Sequence, residues 1–186
     1  SDFFSFLFGG MPQQSRGQRA SRPQRQPAAY EHKLPISLME AFHGGERILE
    51  IDNRRYQVKI PAGAQTGTKI RLAGVGPGTG DLYLLVDVAP DPNYERKGDD
   101  LATETPISLY TAVLGGEAQV QTPGGAVLLT IPPGTQPGQK FRLSGRGMPR
   151  LRAAGSAGDL IVTVRINLPK KLSPEQRELF EKLSRL

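Results

Sequence analysis

The sequence predicts an all-β protein: two tandem copies of one strand-built unit, followed by a C-terminal helix. Three observations carry this. The chain repeats itself: at an offset of about 71 residues, LPISLMEAFHGGE from Leu34 superposes on TPISLYTAVLGGE from Thr105, and IPAGAQTGTKIRLAGVG on IPPGTQPGQKFRLSGRG. About eighteen identities over roughly forty ungapped positions exceed chance, and Gly80-Asp81-Leu82 pairs with Gly158-Asp159-Leu160 once about seven extra residues are allowed in the second copy. Apolar residues recur with a period of two: Tyr56, Val58 and Ile60; Leu82, Leu84, Val86 and Val88; Leu160, Val162, Val164 and Ile166. Between these runs, PAGAQTGTK and PPGTQPGQK are Pro/Gly connections that a helix would not tolerate.

Taken in order, residues 1–29 form a linker. Its first part holds Phe3, Phe4, Phe6, Phe8, Gly9 and Gly10, and its second is rich in Gln, Arg, Ser and Pro. Exposed phenylalanines are costly, so docking of this leader, at least transiently, is an expectation beside that of a disordered remnant. The first unit spans 30–101 and the second 102–168. Each is mostly strand, and its SL segment is a short helix at most. Ser37 with Glu40 is a capping box, Gly44 and Gly45 stop it, and the copy runs from Ser108 to Gly115. In 169–186, Ser173 as N-cap, Pro174 at N1 and Gln176 at N3 start a helix carrying Leu179, Phe180, Leu183 and Leu186 on one face. A helix this short is marginal alone and must pack on something.

Composition narrows the classes. Charged residues make up 23% and apolar ones 37%, which suits a packed core. The absence of cysteine removes disulfides, thiolate metal sites and thiol catalysis, and is compatible with a cytoplasmic location. No apolar run approaches the roughly 18 residues of a spanning helix, and SDFFSFLFGG lacks a basic leader, so no membrane association is expected. The chain opens on Ser1, so a piece of a longer protein is expected. The net charge of +6 sits mostly in the ends: Arg16, Arg19, Arg22 and Arg25 in the linker, and Lys170, Lys171, Arg177, Lys182 and Arg185 in the tail. The nearly neutral body argues against a dedicated phosphate-binding face.

Chemical motifs give little. His32 and His43 have no carboxylate pattern around them, so a hydrolytic triad or histidine metal site lacks material. Asp99 and Asp100 are adjacent, point oppositely on an extended chain, and read as a turn between the units rather than a glycosidase pair. The run from Gly74 to Gly80 precedes a strand, not the helix that a dinucleotide loop needs. Arg142, Arg146, Arg150 and Arg152 form a basic patch without aromatic residues on which bases could stack. A nucleic-acid-associated protein using that loop and the Arg16 to Arg25 tail stays as the alternative function. A sugar-binding or sugar-active β-sandwich is a third.

The ordered motifs LPISLMEAFHGGE, IPAGAQTGTKIRLAGVG, DPNYERKGDDL, TPISLYTAVLGGE, IPPGTQPGQKFRLSGRGMP and LPKKLSPEQRELFEKL together resemble the C-terminal region of DnaJ-family co-chaperones, from about Tyr30 to the end. The Phe/Gly leader is similar to the tail of that family's Gly/Phe linker. The resemblance is to the zinc-finger-lacking subclass, since Ile51-Asp52-Asn53-Arg54-Arg55 joins strand to strand where larger members insert a Cys-rich module. No His-Pro-Asp tripeptide occurs, so this chain lacks the J-domain and is not expected to stimulate ATP hydrolysis unaided.

The resemblance implies two β-sandwich-like domains of the DnaJ C-terminal peptide-binding type, a dimerisation helix, and no catalysis or cofactor. It implies unfolded client polypeptides and a DnaK-type chaperone as partners, and a homodimer through Leu179, Phe180, Leu183 and Leu186. Carried over by position, a client groove on the first unit involves His32, Leu34, Leu49 and Ile51, with Leu84 nearby and Arg47 placed to face an acidic peptide. The residues themselves support this through strand addition, in which a free sheet edge supplies main-chain bonds and apolar pockets take alternate side chains. They equally allow Leu34, Leu49 and Ile51 to be core residues and Arg47 a plain surface charge.

Overall fold

The computed structural model describes residues 30–76, 80–153 and 155–186. The Phe/Gly leader and Arg-rich linker lie outside the described residues. In the first unit, β1 (Tyr30–Ile36) leads through α1 (Leu38–His43) into β2 (Gly45–Ile51), β3 (Arg54–Ile60), β4 (Lys69–Leu72) and β5 (Leu82–Val88). In the second, β6 (Glu95–Lys97) and β7 (Asp100–Ser108) lead through α2 (Leu109–Leu114) into β8 (Gly116–Thr122), β9 (Gly125–Ile131), β10 (Lys140–Leu143) and β11 (Leu160–Asn167). The chain ends with α3 (Pro174–Leu183).

Each unit sets a sheet against a separate hairpin. In the first, β1 runs parallel to β5, and β5 antiparallel to β4, while β2 and β3 pair only with each other. A parallel pair needs a long crossover, here α1, the hairpin and β4. The second repeats this with β7, β11, β10 and the β8–β9 hairpin, and adds β6 on the outer side of β7. The period of two is borne out: Leu34, Ile36, Leu82, Leu84 and Val86 from the sheet meet Val58 and Ile60 from the hairpin in the core, as Leu160, Val162 and Val164 meet Val120, Leu129 and Ile131.

Local chemistry sets the ends of the elements. The Ser37 hydroxyl accepts from the Glu40 N–H while the Glu40 carboxylate accepts from the Ser37 N–H, and Ser173 with Gln176 repeats the pattern on α3. Gly44 ends α1 at φ 65, and a Cβ there would stand 2.7 Å from the Ala62 nitrogen. Asp52 and Asn53, at φ 51 and 61, make the two-residue turn between β2 and β3. Asp159 of the second GDL motif accepts from the Gly145 N–H and the Arg142 guanidinium, which together hold its carboxyl below the usual carboxylate range. In the first unit, the Asp81 carboxylate accepts from the Arg71 guanidinium and the Gly74 N–H.

The units are tied at a joint. Arg96 on β6 donates to the carbonyls of Gly63 and Ala64 in the first unit and of Gly98 in its own. The second unit's extra residues reach back, so that a side chain at Gly63 would collide with the Pro149 carbonyl. Asp99 accepts from Gln65 at 3.1 Å and lies 3.7 Å from Arg150, while Asp100 accepts from the Asp159 N–H. β6 and all of β7 belong to the second sheet, so by strand pairing the units divide before Glu95, ahead of the 101/102 division expected from the repeat.

Candidate functional site

Among the described residues, the outer sides of β1, β4, β2 and β3 have no strand partner in the first unit, and β1 and β2 carry the residues expected at the groove. Which main-chain groups they offer follows from the pairing. The Ala89 N–H donates to the Ile36 carbonyl, so Ile36, Leu34 and His32 turn their main chain towards β5, and Glu31, Lys33 and Pro35 turn theirs outward. The Pro35 end of β1 is closed, because proline has no N–H and Arg47 Nη1 donates to its carbonyl at 2.7 Å. On β2, Ile51 and Arg54 flank the two-residue turn and bond to each other, so by alternation Glu46, Ile48 and Glu50 point their N–H and C=O groups to the open side.

The side chains of β2 divide the same way. Arg47, Leu49 and Ile51 face inward and are half-buried; Glu46, Ile48 and Glu50 face outward, with Ile48 69% exposed. Leu49 and Ile51 rest against the core without being sealed in it. In the second copy the inward positions Val120 and Thr122 are buried, Val120 at 0% exposure. That hairpin's tip packs on the first unit, with Gly124 beside the Phe42 ring. The start of β7 is also covered by β6, whereas the matching part of β1 has no such partner among the described residues. The inward side chains of the second hairpin are therefore covered where those of the first are half-open, while β8, like β2, pairs only with its hairpin partner among the described residues.

The residues named from sequence separate accordingly. Leu49 and Ile51 line the open inner side of β2, and His32 is exposed on β1 opposite Leu84. Leu34 at 2% and Leu84 at 0% exposure are core residues holding β1 to β5, and offer no surface. Arg47 is a strut between strands: besides the Pro35 bond, it lies 3.7 Å from Glu40. Sequence reasoning did not single out Glu46, Ile48 and Glu50. Their signal was the acid–apolar–acid alternation within GERILEI.

On α3, Phe180 is half-buried with its ring tilted 6.4 Å from that of Tyr110 on α2, and Leu179 and Leu183 stand exposed; Leu186, expected on the same helical face, lies past the helix end, also exposed. His43 bonds the Met39 carbonyl at 3.0 Å within α1. A cavity of about 960 Å³ opens at the joint, with Tyr94, Glu104 and Arg165 in its wall, and none of its lining residues belongs to β1 or β2. In the basic patch, Arg142 is paired with Asp159 and Arg150 faces Asp99. No helix of the described residues is long and apolar enough to cross a membrane.

A duplicated β-unit, each copy a sheet set against a separate hairpin, defines a tandem β-domain protein. Comparison with known proteins sharpens this. The model of the DnaJ C terminal domain matches residues 30–169, and the chain belongs to that family. It is 42% identical over 153 residues to a "Chaperone protein DnaJ" of Deinococcus proteolyticus, covering 82% of this chain and 49% of the relative. It is 40% identical over 181 residues to "Chaperone protein DnaJ 2" of Thermus thermophilus, covering 96% and 60%. It is 37% identical over 204 aligned positions to a "Curved DNA-binding protein" of Coxiella burnetii, covering 99% and 64%. The chain thus spans about half to two thirds of the length of these relatives.

Proposed function

We propose that this chain is the client-binding part of a cytoplasmic co-chaperone that catches extended apolar segments of unfolded proteins at the β2 edge and passes them to a DnaK-type chaperone. The observation that carries the reading is the contrast between the two hairpins. Leu49 and Ile51 remain half-open beside unpaired main-chain groups, where Val120 and Thr122 are sealed. An added strand gains main-chain bonds from Glu46, Ile48 and Glu50, which are indifferent to sequence, and apolar contact from Leu49 and Ile51, which is not. Family membership and the two relatives named as DnaJ chaperones support the same role. Nothing in this mode of binding calls for catalysis or a cofactor. A second copy of the chain, joined through α3, doubles the edges offered to one long client.

Replacing Leu49 or Ile51 by serine tests the reading. Each variant is expected to keep its circular dichroism spectrum, because neither side chain is fully buried, and to suppress aggregation of an unfolded client several-fold less well. Equal suppression would move the client site away from β2.

A second reading is favoured by the relative named as a curved-DNA-binding protein, and uses the linker arginines with Arg146 and Arg152. Salt separates the two. Phosphate contacts release counterions, so DNA binding falls steeply between low and moderate ionic strength, while capture of an apolar segment with uncharged flanks does not.

A further inference from the structure

The outer face of the β2–β3 hairpin carries an ordered row of charge. Glu46, Ile48 and Glu50 on β2 stand opposite Lys59, Gln57 and Arg55 on β3, so the acidic row borders the open edge and the basic row lies behind it. Gln57 donates to the Glu46 carboxylate, which orients that side chain and leaves its charge in place. The corresponding row of the second unit, Glu117, Gln119 and Gln121, has one acid and no exposed apolar residue between acids.

We propose that the β2 edge selects extended segments in which basic residues flank an apolar stretch, with Glu46 and Glu50 as the specificity-determining residues. The proposal rests on the reading that clients add to β2. Given that addition, the geometry follows. Client residues directly opposite Glu46, Ile48 and Glu50 have their side chains on the same outer face, within reach for cross-strand pairing, while those between them face inward. The segment is then basic, apolar, apolar, variable, basic, with one inward apolar residue meeting Leu49 and the variable position meeting Arg47. Arg47 does little for an acidic client, because its guanidinium is held by the Pro35 carbonyl and Glu40. Like charges directly opposite one another are disfavoured, so acidic flanks are rejected as well as basic ones preferred.

The test uses short fluorescent peptides with Lys-Leu-Val-Leu-Lys, Gln-Leu-Val-Leu-Gln and Glu-Leu-Val-Leu-Glu cores, titrated by anisotropy against the full chain and against the Glu46→Gln/Glu50→Gln double variant. At low salt the lysine peptide is expected to bind about tenfold more tightly than the glutamate peptide, with the glutamine peptide between. That ratio should shrink with added salt and fall to about twofold in the double variant. Equal affinities for all three peptides, or a ratio that survives the double substitution, would overturn the selectivity while leaving docking at β2 intact. If no peptide bound, docking itself would fall and the selectivity with it. Serine at Leu49 separates these cases, since it lowers the affinity of every peptide whatever its flanks.

Discussion

Ending the chain after Lys171 is expected to turn a dimer into a monomer and to weaken capture of long unfolded chains on the order of a hundredfold, leaving short-peptide affinity unchanged. The reasoning begins with α3. A helix of 10 residues is marginal by itself, and among the described residues its Phe180 packs on Tyr110 of α2. Leu179 and Leu183 are 55% and 64% exposed and, four residues apart, share one face of the helix, while Leu186, past the helix end, is 104% exposed. Burying each is worth about 1.5–3 kcal/mol, and a second copy of the same face, related by a two-fold axis, covers Leu179 and Leu183 at once. The loss on long clients arises because two linked edges bind one chain with high effective concentration, an advantage that a short peptide never has. Light scattering reads the mass directly. An unchanged mass would place the interface elsewhere.

Leu84→Ala should lower the stability of the first unit by about 3 kcal/mol, within the range of about 2–5 kcal/mol for a buried leucine. Leu84 sits at the centre of the β1-β5-β4 sheet with 0% exposure, opposite His32 on one side and Ile70 on the other. Removing it leaves a cavity that the sheet cannot close without breaking pairing. In a domain of this size that loss lowers Tm by roughly 4–8 °C per kcal/mol. Were Leu84 instead a client contact, binding would suffer while the melting curve stayed in place. Ile51→Ser should show the opposite pattern, with binding lost and Tm little changed, so the pair distinguishes the floor of the unit from its working edge.

Much of the fold was legible because the repeat and the caps are local statements. Ser37 with Glu40, and Ser173 with Gln176, announce helix starts through side chains three residues away, and both capping boxes are formed as expected. Alternation told which residues of a strand share a face. It could not tell how well that face is covered. Leu49 and Val120 occupy matching positions of the repeat, yet one is half-open and the other sealed, and Gly124 of the sealed hairpin packs on Phe42 of a different unit. The same limit governed Arg47, whose role depends on a carbonyl twelve residues earlier, and Leu34 and Leu84, whose burial depends on the pairing of β1 with β5 across the whole unit. The short hairpin turn at Asp52-Asn53 was visible as a direct strand-to-strand joint. That this turn fixes which groups of β2 point outward emerged only with the register.

The most direct measurement is residue-resolved amide hydrogen exchange with and without a saturating apolar peptide. Strand addition predicts that the N–H groups of Glu46, Ile48 and Glu50 become protected on binding, while those of Glu117, Gln119 and Gln121 exchange as before. Peptide bound with no new protection along β2, or with protection appearing on β8 instead, would contradict the account.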